Sequence, residues 1–471
     1  MPPGAIAVVP AAATAFMSGV IPWPYRQDAD FFYLTGLMQH GLALISGPRP
    51  GSPNDVNYTL FIDAPNPTKE RWDGATVSRE AAREVFGADE VHYMHEMPRR
   101  LHALASTSSG PIMYDTDRAG SHHGSATAAA LKPAAAVPGR MAPLRPLLHG
   151  LRLIKSPAEA AMLRTSAALA SATVRHCMAS TGPGVTEAGL AATFEFGVKA
   201  AGAQRLAYPT VVAGGTDACT IHYGRNDKSL SGGQLVLMDA GSEYWGYVSD
   251  VTRTWPVGGR FSGPQRDVYA VVQETHARCL AACRPGASVR DLHLLAIALL
   301  SEGLRDLGVM PGVGLDEIRS THYREFFWHS LGHYLGLDTH DTHLIGHDRP
   351  LAEGAAITVE PGLYIPDHPR FGPFRGIGVR IEDDVLLTAA GCRVLSDQAP
   401  VAISEVEAVV GTALAAPGGG AAAAAATVLP LPPRNVGAAH RWYAAAEGAE
   451  GAFPAAKGAA AAAAGAAAAA R

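Results

Sequence analysis

Four acidic residues stand where β-like runs should be apolar: Asp239 in "QLVLMDAG", Asp250 in "YVSDVTRTWPV", Glu360 in "ITVEPGLYI" and Glu382 in "GVRIEDDVLL". A carboxylate set among β-branched side chains needs a partner to offset its lost hydration. The stretch "QLVLMDAGSEYWGYVSDVTRTW" has two apolar runs about a glycine-containing turn, the pattern of an antiparallel hairpin. With the turn centred between Tyr244 and Trp245, Asp239 and Asp250 fall opposite one another and point to one face. Two like charges so placed repel unless a proton or a cation sits between them. Arg380 and Glu382 share a face by period-two alternation, while Ile381 points the other way, toward the core. An arginine there would keep a neighbouring carboxylate ionised and oriented.

Histidines supply the second donor type. "HSLGHYLGLDTHD" carries His329, His333 and His340, and "TIHYGRND" carries His222. A spacing of four between His329 and His333 suits a helix, but Gly332 and Gly336 argue for a loop or a short irregular strand. Such imidazoles can ligate a metal, donate to a developing oxyanion or position a substrate. Four carboxylates and one imidazole carry about four negative charges, the amount that two divalent ions roughly 3.5–4 Å apart neutralise. An oxygen-rich donor set without sulfur favours harder ions, manganese first, with cobalt, iron or zinc able to bind in vitro. The sequence lacks the H-E-x-x-H of mononuclear zinc peptidases.

The elements that must position these groups are legible in outline. Residues 26–104 mix short apolar runs such as "NYTLFI" with helical stretches such as "SREAAREVF", where Ser78 is an N-cap, so they read as a small α/β unit. Residues 106–146 turn to Ala, Ser, Gly and Pro and read as linker or loop insertion, with a domain boundary near Gly150. A long helix then opens at "KSPAEAAMLR": Ser156 caps it, Pro157 takes its first position and Glu159 closes a capping box. Helical patterns ("AGLAATFEFGVKAAG", "SVRDLHLLAIALLSEGLRDLG") alternate with the β-like runs, so this second domain is α+β. From about Gly411 the chain is Ala, Gly and Pro repeats with few bulky apolar side chains, and a disordered tail is expected.

The 471-residue chain is 48% apolar with net charge -5 and no block of like charge, so nucleic acid and anionic membrane surfaces are not expected partners. Its five scattered cysteines form no C-x-x-C pair and read as buried thiols in a reducing compartment. No charged leader precedes Arg26, and the run 458–470 is too short and weakly apolar for a membrane span, which needs about 20 residues.

Taken together, "MDAG", "SDVTRTWPV", "HSLGHYLGLDTHD", "VEPGLYI" and "GIGVRIEDDVLLT" resemble the aminopeptidase P branch of the "pita-bread" metallopeptidases, which also includes prolidase and methionine aminopeptidase. "PYRQDADFFYLTGL" resembles the N-terminal domain of the bacterial aminopeptidase P and mitochondrial Xaa-Pro aminopeptidase 3 group, and "RLIKSPAEAAMLR" the start of its catalytic domain, so the likeness covers residues 16–410. The resemblance implies an α+β fold: an α/β N-terminal domain (1–149), a pita-bread catalytic domain (150–411) and a low-complexity tail (412–471). It implies Asp239, Asp250, His333, Glu360 and Glu382 as ligands of two divalent ions, with Glu360 also moving the proton of the attacking water. His340 would steady the tetrahedral intermediate, His329 and His222 would line the pocket near the scissile bond, Arg380 and Tyr364 would support the ligands, and Trp72 would wall a neighbouring subunit's site. Thr339 replaces the valine usual before His340, and the strand and helix usual before "FMSGVIPWPYRQ" are expected to be missing, with a truncated start.

The activity so implied is removal of the first residue from peptides or protein N-termini, preferentially before proline, by a homo-oligomer (dimer or tetramer) in the mitochondrion, or else the cytoplasm. A second expectation is an intermediate-cleaving peptidase that trims one bulky residue from imported proteins without requiring proline. A peptide-binding module on an inactive peptidase scaffold is the rival of another class; a metal-free creatinase-like activity would leave the carboxylates with no cation to face.

Overall fold

The computed structural model describes residues 1–47, 56–115 and 124–415, which fall into two compact units, the first ending at Leu151 and the second beginning at Arg152.

The first unit is built on a six-stranded mixed sheet in the spatial order 90–93, 57–62, 41–46, 6–10, 112–113, 141–142. Its central strand, Ile6–Pro10, is wholly buried. That strand precedes "FMSGVIPWPYRQ", where none was expected; "IAVVP" is an unbroken apolar run, and a strand covered on both faces shows no alternation to read. Ser78 caps the helix Arg79–Glu84 by accepting from the Ala81 amide. Residues 106–146 are not a plain linker. They supply the two parallel strands Ile112–Met113 and Met141–Ala142 and the helix Gly124–Ala135, whose Ala130, Leu131 and Ala134 pack with Leu101 and Ala105 of the helix Met97–Thr107. Alanine is the strongest helix former and needs no bulky neighbour to be so, which is why an alanine-rich helix passes for filler in a composition reading.

The second unit repeats one theme. A helix pair, Pro157–Ala179 and Glu187–Ala200, leads to an antiparallel sheet of strands Val211–Gly214, Leu235–Ala240 and Val251–Pro256. A second pair, Gly263–Ala282 and Val289–Asp306, leads to a sheet of strands Ala356–Val359, Asp383–Thr388 and Gly391–Val394. Three of these helices start with reciprocal capping boxes, Ser156 with Glu159, Ser262 with Gln265 and Ser288 with Asp291. One continuous core, including Trp255, Tyr269, Phe326 and Leu363, ties both halves together.

The hairpin register differs from the expected one. Tyr244 pairs with Tyr247, and the turn residues Trp245 and Gly246 take φ of 49° and 84°, the two left-handed positions of a type I′ turn, where glycine is favoured. The turn is therefore centred one residue later, and Asp239 faces Thr252 instead of Asp250. A two-residue shift across the hairpin preserves which face each side chain occupies, so the two aspartates still share one.

All five cysteines are free thiols; Cys177, Cys279 and Cys283 are buried, whereas Cys219 and Cys392 are half-buried, short of the expected full burial. Among the described residues no helix is long and apolar enough to cross a membrane. The expected disordered tail lies outside the described residues, apart from a short helix Thr412–Ala415.

Candidate metal centre

Each half of the second unit contributes acids to one place, and the segment leading from the second helix pair to the second sheet contributes the imidazole. Asp239 lies in the first sheet and Asp250 immediately before its strand Val251–Pro256, Glu360 and Glu382 stand next to strand ends in the second half, and His333 comes from the irregular segment that bridges to the second sheet at Tyr334 and Ile357. One ligand atom from each of Asp250, His333 and Glu382 lies within 4.8 Å of the other two. Glu360 Oε1 is 3.7 Å from His333 Nε2, and Asp250 Oδ2 is 3.4 Å from the same nitrogen. Asp239 joins through Tyr208, whose hydroxyl lies 2.6 Å from Asp239 Oδ1 and 2.5 Å from Asp250 Oδ1. All five expected ligands are thus brought together.

The surrounding contacts orient them. His333 Nδ1 lies 3.1 Å from the Tyr334 carbonyl, which can only accept, so Nδ1 carries the proton and Nε2 is turned toward the acids; a metal-binding histidine is held in this way. Thr252 Oγ1 donates to Glu382 Oε2 at 2.5 Å and accepts from Arg380 Nε at 3.0 Å. Arg380 also donates to Asp239 Oδ2 at 2.6 Å and to the Tyr364 hydroxyl at 2.9 Å. Thr358 Oγ1 accepts from the His333 amide at 3.1 Å and donates to Glu360 Oε1 at 3.4 Å.

His329 is placed beside this group with both ring nitrogens engaged: Nδ1 donates to the Ser330 carbonyl at 2.8 Å, and Nε2 therefore accepts from Tyr364 Oη at 2.9 Å. Burial, helped by Arg380, pushes its pKa down to about 3, so this imidazole is neutral. The His340 ring packs edge-on to His333, centroids 4.4 Å apart, and is exposed on its outer side. His222 is exposed on a turn, close enough to His340 to disfavour its protonation after burial and His333. Trp72 is exposed in the first unit.

The electrostatics ask for cations. Burial is the largest influence on each acid. It pushes Glu360 up to about 8 and Glu382, also repelled by Asp250 and Glu360, well above the usual carboxylate range. Asp239 is raised as well, whereas Asp250 is held down because His333, Tyr208 and Arg380 together outweigh its burial. Burial disfavours a charged His333, but Asp250 and Glu360 raise it to about 9. Two fixed positive partners, Arg380 and His333, face four acids, and the single Tyr208 proton serves one of its two aspartates at a time. This donor set fits divalent ions, which would replace the proton on His333 and hold all four acids ionised.

The comparisons with known proteins agree. Residues 161–389 match metallopeptidase family M24, and residues 1–114 match the aminopeptidase P N-terminal domain. The mitochondrial intermediate cleaving peptidase 55 of Arabidopsis thaliana is 37% identical over 87% of this chain and 80% of its own. The chain belongs to the aminopeptidase P branch of metallopeptidase family M24. Xaa-Pro aminopeptidase 3 of Homo sapiens is 36% identical, over 86% of this chain and 81% of the relative. An Escherichia coli aminopeptidase P variant in complex with substrate superposes with TM-score 0.81 at 32% identity, covering 87% of this chain and 94% of that one. This M24 chain is therefore a metal-dependent aminopeptidase, a hydrolase with the aminopeptidase P fold.

Three supporting residues escaped the sequence reading. Thr252 and Thr358 each lie two positions from an expected ligand, Asp250 and Glu360, on the same strand face, so alternation could have found them. Tyr208 lies 31 and 42 residues from the aspartates it bridges and carries no local signal. The glycines of "HSLGHYLG" have a steric reason: a Cβ on Gly332 would stand 2.0 Å from the Thr358 carbonyl oxygen. Gly332→Ala must push these backbones apart, and it is expected to cost about 1–3 kcal/mol and to displace His333; thermal denaturation and metal content of the variant check both.

Proposed function

We propose that this enzyme removes the N-terminal residue from peptides whose second residue is proline, using two divalent ions, manganese by preference, held by Asp239, Asp250, His333, Glu360 and Glu382. The observation that carries the reading is the convergence of four acids on one imidazole with too little positive charge to balance them. Bound divalent ions supply an acidified water and positive charge beside the scissile carbonyl. Glu360, whose carboxylate lies 3.5 Å from His329 Nδ1 and 3.7 Å from His333 Nε2, takes the water proton on a carboxylate oxygen and returns it to the departing nitrogen. His340 donates a hydrogen bond to the carbonyl oxygen as it gains charge. His329, neutral and pinned through both nitrogens, presents its ring as a rigid wall, and His222 stands at the exposed rim. Arg380 favours the ionised form of Asp239 against its burial and holds Tyr364 and Thr252 in place.

The second reading, an intermediate-cleaving peptidase without a requirement for proline, is favoured by the 37% identity to the Arabidopsis enzyme of that name. A panel of Xaa-Pro peptides beside a Tyr-Xaa panel decides between them. The Xaa-Pro reading predicts higher kcat/KM across the proline series; faster cleavage of Tyr-Xaa peptides irrespective of the second residue would favour the alternative. The name of the Arabidopsis relative supports a mitochondrial rather than cytoplasmic location, which cell fractionation tests. A homo-oligomer, dimer or tetramer, is part of the same reading; the exposed apolar side chains of Phe16, Val20, Ile21 and Trp23 support it, and light scattering decides it.

A further inference from the structure

The stretch "RLIKSP", residues 152–157, does more than start a helix. Ser156 and Pro157 serve the helix, but Arg152 and Lys155 turn away to meet a loop more than 180 residues further along the chain. Lys155 Nζ donates to Asp341 Oδ2 at 3.1 Å and to the Arg152 carbonyl at 2.9 Å. The Arg152 guanidinium pairs with Asp341 Oδ1 and, at 2.9 Å, with Asp338 Oδ2. Arg152, Lys155 and Asp341 are almost fully buried, with side-chain exposures of 3%, 1% and 1%. Here two cations meet two carboxylates.

The loop is shaped around that cluster. The Asp341 amide donates to the Tyr334 carbonyl at 2.9 Å, closing residues 334–341 into a ring. Gly336 leaves room for the carboxylate, since a Cβ there would lie 2.4 Å from Asp341 Oδ2. Thr342, buried and β-branched, is held at φ 44°, a left-handed conformation that such a residue adopts only when its surroundings impose it. His333 stands just before this ring of residues, and His340 immediately precedes Asp341, with the two imidazoles packed against each other.

We propose that Asp341, clamped by Arg152 and Lys155, is a positioning residue for His340: the buried ion pairs fix the backbone from which that imidazole reaches the substrate. The inference rests on the reading of His340 as a substrate-site group. An imidazole whose aim depends on a supporting shell loses rate when the shell is loosened, even though the shell touches no substrate. The test compares Asp341→Asn, Lys155→Met, His340→Ala and the double variant His340→Ala/Asp341→Asn, all as full-length, metal-loaded protein. Asp341→Asn and Lys155→Met are expected to lower kcat by ~10–100-fold, the range for partners that orient active-site ligands, with KM and metal content close to wild type. In the His340→Ala background Asp341→Asn should add little, because the two act through one group. Additive losses, or a lowered Tm with unchanged kcat, would overturn the proposal. His340→Ala without effect on kcat would sink the reading of His340 and the inference with it, whereas a large His340→Ala effect with additive Asp341→Asn sinks the inference alone. Lys155→Met keeps the aliphatic stem and supplies the kinetic test should Asp341→Asn fail to fold.

Discussion

Asp250→Ala loses peptidase activity by more than about 10³-fold, beyond the 10²–10³ that follows removal of a single transition-state donor, while the protein stays folded. The expectation follows from position. Asp250 lies at the centre of the group, within reach of His333 Nε2, sharing Tyr208 with Asp239 and close to Glu382. Its loss removes a proposed ligand and also frees His333 from its contact with Asp250 Oδ2. The fold is spared because two electrostatic effects oppose one another: the pairing with His333 disappears, and so does a buried charge that repels Glu360 and Glu382. The Tm should move by no more than about 4 °C, which at 2–4 °C per kcal/mol is 1–2 kcal/mol. Circular dichroism and a thermal scan on the purified variant, run beside the peptide assay, check both halves.

Glu360→Gln is the second large effect. Glutamine keeps the shape and the contact with Thr358 but can neither take up a proton nor bear a charge, so the group 3.7 Å from His333 Nε2 is disarmed with little disturbance of packing. The expected fall in kcat is ~10²–10⁴-fold, the contribution of a positioned proton-transfer group, with KM changed far less. Asp250→Ala and Glu360→Gln are expected to differ in metal content, the first losing metal and the second retaining more of it. Glu360→Gln with wild-type kcat would remove Glu360 from the proton's path.

The acids of the proposed ligand set were legible because their chemistry is at odds with their setting. Asp239, Asp250, Glu360 and Glu382 sit in strand-like apolar runs, and an acid in such a place announces a partner. The capping boxes were legible too, since Ser156 and Glu159 act over three residues. What distance in the chain hides was not: Tyr208 bridges two aspartates from a position with no pattern, and Arg152 and Lys155 serve a loop that only the fold brings near. Composition misled at residues 124–135, where alanines that look like filler form a packed helix. A turn centred between Tyr244 and Trp245 puts the hairpin two residues out of register; the actual turn sets Gly246 at its second position. Period-two patterning survived the error, and so did the meeting of the acids.

Metal analysis by mass spectrometry, on protein before and after chelation and on Asp250→Ala, tests the central claim most directly. Two equivalents of divalent metal per chain are predicted for the active protein, lost on chelation together with activity, restored by manganese, and not retained by Asp250→Ala. Full peptidase activity in protein stripped of metal would contradict it.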